Sequence, residues 1–284
     1  MKMSDTTILI TGGTSGIGRE LARQLRAMGN TVIVTGRDPE RLHAARTVDG
    51  LHAFYADAGD PESLRILHRR VVRDFPDLAI LINAAGLMRT LDLRRDGPSL
   101  EDLTREIQVD LKGTIWMNAL FLPHLMRRER AAILNVSSAH AFVPLPIAPI
   151  YSAAKAGLHA YTRSLRMQLS GTGVAVFELA PPATDTPLYR AVHGPAHDRV
   201  TRPMPVEALA TEAIEAMQGD RLEIRPGLAD VLKLMGRWAP ELAMRPMRGA
   251  VRRMQAPSAP DTGHARHDEA AGTGAVRRVP GTQA

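Results

Sequence analysis

Residues 7–18 read Thr7-Ile8-Leu9-Ile10-Thr11-Gly12-Gly13-Thr14-Ser15-Gly16-Ile17-Gly18, a short β-rich run that ends in a glycine loop and opens a helical pattern. Gly12 permits the tight turn, Gly16 lets the backbone approach a pyrophosphate, and Gly18 lets the following helix pack closely on the strand. Thr14, Ser15 and Ile17 complete the candidate phosphate-holding loop. Free N–H groups and the positive dipole end at the start of that helix favour phosphate there. Turns use glycine anyway, so the context carries the reading: a strand directly before the loop and a helix directly after it.

Working outward, the same alternation recurs. Strand-like segments occupy Thr7–Ile10, Thr31–Thr35, Leu51–Tyr55, Leu78–Ile82, Ala131–Val136 and Val174–Leu179. Several are nearly continuous apolar runs, as in strands buried on both faces of a parallel sheet. Ile17, Leu21, Leu25 and Met28 repeat at helical spacing until Gly29-Asn30 ends the pattern. Asp60-Pro61-Glu62 reads as the cap and first positions of a helix to about Phe75, and Ser99 caps a helical stretch continuing to about Arg128. A helix over about Val206–Met217 and a short strand near Leu222–Arg225 follow. Alternating βα units predict a doubly wound, mostly parallel α/β sheet with right-handed crossovers. It forms one domain over residues 1–254, with a C-terminal extension from about residue 228. Residues 181–205 are rich in Pro and read as a lid or binding loop. Residues 228–250 are apolar and basic, which fits core, pocket wall, oligomer contact or membrane-surface segment. Residues 255–284 lose all periodicity and read as a disordered tail.

Composition excludes several classes. The 284 residues are 44% hydrophobic and can bury a large core without a covalent staple. The absence of Cys removes disulfides, cysteine-ligated zinc, iron–sulfur clusters and a cysteine nucleophile. The N-terminal apolar run is too short and wrongly flanked for a signal peptide, and no stretch reaches the roughly 18 apolar residues of a membrane span. A cytoplasmic location is expected. The net charge of +6 lies in scattered pairs such as Arg69-Arg70, Arg94-Arg95 and Arg127-Arg128, and aromatics make up only 4%, so no nucleic-acid partner is expected. His193 and His197 are four apart, but Gly194 and Pro195 interrupt any helix between them, and no metal is expected.

Tyr151 and Lys155 open the helical run YSAAKAGLHAYTRSL four residues apart, on one face and one turn from each other. A free phenol has a pKa near 10 and is a poor acid–base catalyst at neutral pH, whereas an adjacent ammonium favours the phenolate. Thirteen residues before Tyr151, Ser138 ends the strand ILNVSS, with Ser137 as its neighbouring candidate. A serine hydroxyl there can hydrogen-bond and orient a substrate oxygen.

Taken together, Thr11–Gly18 (TGGTSGIG), Asn83-Ala84-Ala85-Gly86, Ser138 and Tyr151-x-x-x-Lys155 resemble the short-chain dehydrogenase/reductase family, from about Thr6 to about Arg225. The resemblance implies a Rossmann-type fold and a nicotinamide nucleotide. It also implies conversion between a carbonyl and a secondary alcohol: Tyr151 exchanges the proton, Lys155 holds the nicotinamide ribose and tunes Tyr151, and Ser138 positions the oxygen. Asn83, Ala84 and Gly86 would border the nucleotide, Asp57 would meet the adenine amino group, and Thr184 and Thr186 the nicotinamide carboxamide. At the end of the second strand, where an NAD enzyme carries a carboxylate, this chain has Gly36 and then Arg37. A guanidinium suits a 2′-phosphate, so NADP is favoured over NAD. Arg37 could instead cap the strand or pair with Asp38, and Asp57 could be a helix-approach residue.

Two positions depart from the family pattern. Asp110 stands where an Asn usually helps hold the water that links the lysine to solvent, and its charge could pair with Lys155. Pro182 replaces the Gly of the loop after the sixth strand and restricts the backbone. Both lend weight to an alternative, a non-catalytic NADP(H)-binding sensor or scaffold. A sugar-nucleotide epimerase or dehydratase shares Tyr-x-x-x-Lys but not this glycine spacing. The family resemblance further implies a homodimer or homotetramer acting on a small molecule.

Overall fold

The computed structural model describes residues 1–95, 97–192 and 202–255. Seven strands form one sheet among the described residues: β1 Thr7–Thr11, β2 Thr31–Gly36, β3 His52–Tyr55, β4 Leu78–Asn83, β5 Ala131–Val136, β6 Val174–Leu179 and β7 Glu223–Ile224. Their order is β3-β2-β1-β4-β5-β6-β7 and every pairing is parallel. This is the doubly wound sheet that the alternation predicts, and its direction of winding reverses between β1 and β4. At such a switch point the loops leaving the carboxyl ends diverge and open a crevice.

Strand residues alternate between two apolar layers. Ile8, Ile10, Val34 and Ile82 point to the layer that includes Leu21 and Leu25 of α1 (Gly16–Ala27). Leu9, Ile33, Leu81 and Ile133 point to the opposite layer with Leu67 of α3 (Pro61–Asp74) and Phe121 of α5 (Gly113–Leu125). Both faces are therefore covered, which explains why these strands are so uniformly apolar.

Local chemistry sets several element starts. Asp38 accepts from the Glu40 and Arg41 amides and starts α2 (Pro39–Thr47), a helix that hydrophobic periodicity does not flag. Asp60 does the same for α3 through the Glu62 amide, as its sequence predicts. The expected continuous helix from Ser99 to Arg128 is divided instead. A single turn α4 (Leu100–Leu103) is followed by a π-helical turn, Ile107–Lys112, that runs into α5. Buried partners anchor the two sides of the break. Glu106 is held by Arg89 and Asp110 accepts from the Leu87 amide, so tertiary contacts outweigh the local helical preference.

After α6 (Pro149–Gln168) and β6, the proline-rich stretch contains α7 (Pro187–Val192) and a bridge between Thr184 and Met204. Next come α8 (Val206–Gln218), β7, α9 (Ala229–Trp238), α10 (Pro240–Met244), a 3₁₀ turn (Arg245–Met247) and α11 (Arg248–Gln255). Met1–Met254 make one compact unit. His193 and His197 lie outside the described residues, as does the tail read over 255–284 apart from Gln255, which ends α11. No helix among the described residues is long and apolar enough to cross a membrane.

Candidate active site

A cavity of about 1190 Å³ runs along the carboxyl ends of six strands, and residues at or just beyond each of them line it: Thr11, Gly36, Ala56, Ala84, Val136 and Pro181. At one end lies the glycine loop. Gly12 has a φ of +65°, and a Cβ on it would meet the Ala85 Cα at 2.7 Å. A Cβ on Gly18 would stand 2.5 Å from the Gly12 carbonyl oxygen, so only glycine lets α1 dock this closely. Thr11 accepts from the Ala84 and Ala85 amides, fastening the turn after β4 onto β1. Ser15, the N-cap of α1, makes no side-chain cap bond, which leaves the first amides of the helix without their usual acceptor. Ser15, Gly16 and Ile17 all line the cavity, and so does Thr14. This donor-rich, Cβ-poor cradle fits a pyrophosphate.

Beyond β2, Gly36 has no room for a side chain because the Thr14 side chain lies against it. Arg37 sits 3.7 Å from Asp57 rather than pairing with Asp38, whose carboxylate caps α2 and faces Arg41 at 3.4 Å. Arg41, which sequence reading passed over, lines the same end of the cavity as Arg37. The signal was available: Asp38-Pro39-Glu40 repeats the capping pattern of Asp60-Pro61-Glu62, and it places Arg41 in the first turn of the helix. Asp57 also lines the cavity, while its Oδ1 accepts from the Gly59 amide at 2.8 Å.

Asn83 is placed differently from Ala84 and Gly86. Its side chain is buried below the cavity and donates to Asn118 Oδ1 and Asn135 Oδ1, at 2.7 and 2.9 Å. The reason is strand alternation: the Asn83 side chain joins a polar pin between sheet and helices, while Ala84 and Gly86 border the cavity.

At the middle of the cavity Ser138, Tyr151 and Lys155 come together, all buried. The Lys155 ammonium donates to the Val136 carbonyl at 3.0 Å and lies 3.4 Å from Asp110 Oδ2. Burial pushes the Tyr151 phenol above its ordinary pKa; Lys155 and the Ser138 hydroxyl oppose this, and Asp110 adds to it. The protein's own groups thus leave Tyr151 a neutral phenol, against the sequence expectation that Lys155 would dominate. Ser138 Oγ accepts from the His140 amide at 3.1 Å. Ser137 is engaged elsewhere, donating to Glu178 Oε1 at 2.6 Å.

Asp110 lies within the π-helical turn and has no exposed surface. Its Oδ1 accepts from the Leu87 amide at 2.8 Å, whereas Oδ2 has the Lys155 charge nearby but no hydrogen bond. Desolvation raises its pKa to about 6 despite Lys155. Pro182, Thr184 and Thr186 line the cavity; Thr184 donates to the Pro182 carbonyl, and Thr186 accepts from the Tyr189 amide. Among the described residues no group of three or more His, Asp or Glu is arranged to hold a metal ion.

A family model described as short chain dehydrogenase matches residues 6–195. The uncharacterized oxidoreductase DltE of Bacillus subtilis is 40% identical over 189 residues, covering 66% of this chain and 75% of that protein. An uncharacterized oxidoreductase of Staphylococcus epidermidis is 30% identical over 189 residues, covering 66% of this chain and 81% of the relative. Among solved structures, a short chain dehydrogenase from Burkholderia cenocepacia in complex with NADP superposes with a TM-score of 0.72 at 24% identity, covering 87% of this chain and 99% of that one. A dehydrogenase/reductase from Sinorhizobium meliloti gives 0.69 at 25% identity, over 78% and 94% of the two chains.

Proposed function

This chain belongs to the short-chain dehydrogenase/reductase family and is an NAD(P)-dependent oxidoreductase, and from that premise we propose that it uses NADP(H) to interconvert a carbonyl and a secondary alcohol, with Tyr151 as the proton donor and acceptor. The nicotinamide nucleotide, when bound, supplies the hydride chemistry. Gly12, Thr14, Ser15, Gly16 and Ile17 hold its phosphates through backbone amides, with Gly18 seating the helix that presents them. Asp57, Ala84, Gly86, Thr184 and Thr186 border the rest of it, and Asn83 supports that border from below. Arg37 and Arg41 hold the 2′-phosphate, a pair of guanidinium groups where a carboxylate for the ribose hydroxyl has no space.

The chain's own chemistry is proton placement. In reduction, the neutral Tyr151 phenol donates its hydrogen to the substrate oxygen, which the Ser138 hydroxyl also holds. Ser138 Oγ accepts from the His140 amide, and the serine's own hydrogen, directed at Tyr151 in this structure, turns to that oxygen when substrate enters. Lys155, fixed by Val136 and Asp110, holds a positive charge beside the phenolate that forms. Asp110 positions Lys155 where the family pattern uses an amide. The enzyme would work in the cytoplasm as a homodimer or homotetramer.

The observation that carries this reading is the meeting of Ser138, Tyr151 and Lys155 in the cavity that the glycine loop also lines. Replacing Tyr151 with Phe tests it. Turnover of a carbonyl panel should fall by on the order of 100-fold or more, the usual scale of a positioned general acid, while NADPH affinity measured by fluorescence stays within about threefold. Undiminished turnover would remove Tyr151 from the mechanism. A wild type that binds NADPH but consumes none across a broad panel would instead favour the sensor reading that Asp110 and Pro182 support.

A further inference from the structure

The cavity continues past Tyr151, away from the nucleotide cradle, and its far wall is built by the C-terminal segment. Helix α9 comes down directly on the chain that follows Ser138: Gly236 touches the Phe142 carbonyl so closely that no Cβ would fit between them. From this seat Leu232 and Met235 of α9 face the cavity, joined by Met247 and Ala250 from the following turn and α11. Met247 and Ala250 pack against the cluster of Met88, Leu145, Ile147 and Tyr151 itself. The phenol that exchanges the proton is therefore backed by an apolar enclosure.

A polar side chain interrupts it. His140 lines the cavity two residues after Ser138, and its backbone amide is the one that holds Ser138 Oγ. Its Nδ1 lies 3.1 Å from the Val143 carbonyl oxygen. A carbonyl only accepts, so Nδ1 carries the ring hydrogen. Burial also lowers the pKa of the ring, keeping it neutral near pH 7. Nε2 is then a bare acceptor, and it takes no hydrogen bond among the described residues. Such an atom accepts from a hydroxyl or N–H but offers nothing to a second carbonyl or a carboxylate.

Building on the oxidoreductase reading above, we propose that the substrate is a carbonyl compound with an apolar body and a hydroxyl or N–H group beside the reacting carbon. The body lies against Leu232, Met235, Met247 and Ala250. The donor bonds His140 Nε2 while the carbonyl oxygen meets Ser138 and Tyr151. His140 is a specificity-determining residue and takes no part in the proton transfer.

Calorimetric titration of the protein saturated with NADP⁺ tests this without turnover. Three probes share an eight-carbon chain: an α-hydroxyketone, the methyl ketone and the α-keto acid. The hydroxyketone should bind about tenfold more tightly than either of the others, the scale of one good hydrogen bond. Removing four carbons from it should weaken binding on the order of tenfold or more. His140→Leu should shrink the hydroxyketone preference to about twofold or less, and His140→Gln, which keeps an acceptor, should retain part of it. NADP⁺ affinity on the same samples reports whether each variant is folded, and if His140→Leu fails that check, His140→Phe, which keeps a ring without the acceptor, supplies the loss arm. Equal affinity for the three probes overturns the proposal. So does preference for the keto acid, which would shift recognition to Arg202, exposed where it lines the cavity. A chain-length effect absent in the wild type overturns the apolar wall. NADPH consumption is read separately: ordered affinities without turnover sink the catalytic reading alone, and turnover without ordered affinities sinks this one alone.

Discussion

Asp110 shows how much one buried carboxylate can reveal at the scale of a residue. Its pKa of about 6 against an ordinary 3.8 means that the folded protein holds the proton more tightly than the unfolded chain does. Stability from this group is thus fully present below the ordinary carboxylate range and is lost as the pH rises through about 6. Asp110→Asn has no such titration. The melting temperature of the wild type relative to Asp110→Asn should therefore be more favourable at pH 5 than at pH 7.5. The free-energy change across that window is on the order of 1–3 kcal/mol. A difference that stays constant with pH would mean that Asp110 is not desolvated as described. The position was legible in the sequence as a departure from pattern and as a possible partner for Lys155. The lack of a hydrogen bond to its Oδ2, which faces the Lys155 ammonium at 3.4 Å, was not, because that depends on which groups from distant segments arrive beside it.

Among the elements, the junction of β2 and α2 is where the proposed preference for NADP(H) rests. The strand ends on a glycine against which Thr14 packs, and Asp38 starts a helix that brings Arg41 to the cavity beside Arg37. Each charge-assisted bond to a phosphate contributes about 1.5–3 kcal/mol. Replacing both arginines with Ala should raise the KM for NADPH by on the order of 100-fold and leave the KM for NADH within about threefold. A matching loss for both nucleotides would place the arginines away from the 2′-phosphate. Arg37 was found by its place at the end of an apolar strand. Arg41 went unnoticed because α2 has almost no apolar periodicity and is announced only by its cap. The divided helix between Ser99 and Arg128 is the converse case: a continuous local pattern that Arg89, Leu87 and Lys155 interrupt from outside.

Over the whole molecule, a buried polar pin ties the sheet to the helices beneath Ser138, Tyr151 and Lys155. Asn83 of β4 donates to Asn118 of α5 and to Asn135 of β5, and Asn135 donates to Thr162 of α6, the helix that also carries Tyr151 and Lys155. Removing Asn135 leaves buried donors and acceptors unpaired at about 1–3 kcal/mol each. Asn135→Ala should lower the melting temperature by about 4–10 °C in thermal unfolding, and the loss should exceed that of an exposed control such as Met167→Ala, which has 77% of its surface in water. A shift of less than about 2 °C would show that the pin is dispensable. Several members of the basic pairs, meanwhile, are ion-paired locally: Arg69 with Glu62, Arg70 with Asp74, Arg94 and Arg95 with Asp92, and Arg128 with Asp77. The segment after residue 228 turns one side to the cavity and leaves Val231, Leu234 and Trp238 exposed.

Sequence alone determined the alternation of strands and helices, the glycine loop and the Tyr151–Lys155 pairing. Each depends on neighbours within a few residues: an apolar run, a turn that only glycine adopts, one rotation of a helix. Only the tertiary structure decided that Asn83 turns inward, that Asp110 loses its water, that Arg41 joins Arg37, and that the C-terminal helices wall the cavity beside His140. These outcomes rest on burial and on contacts between segments far apart in the chain, which no local pattern encodes.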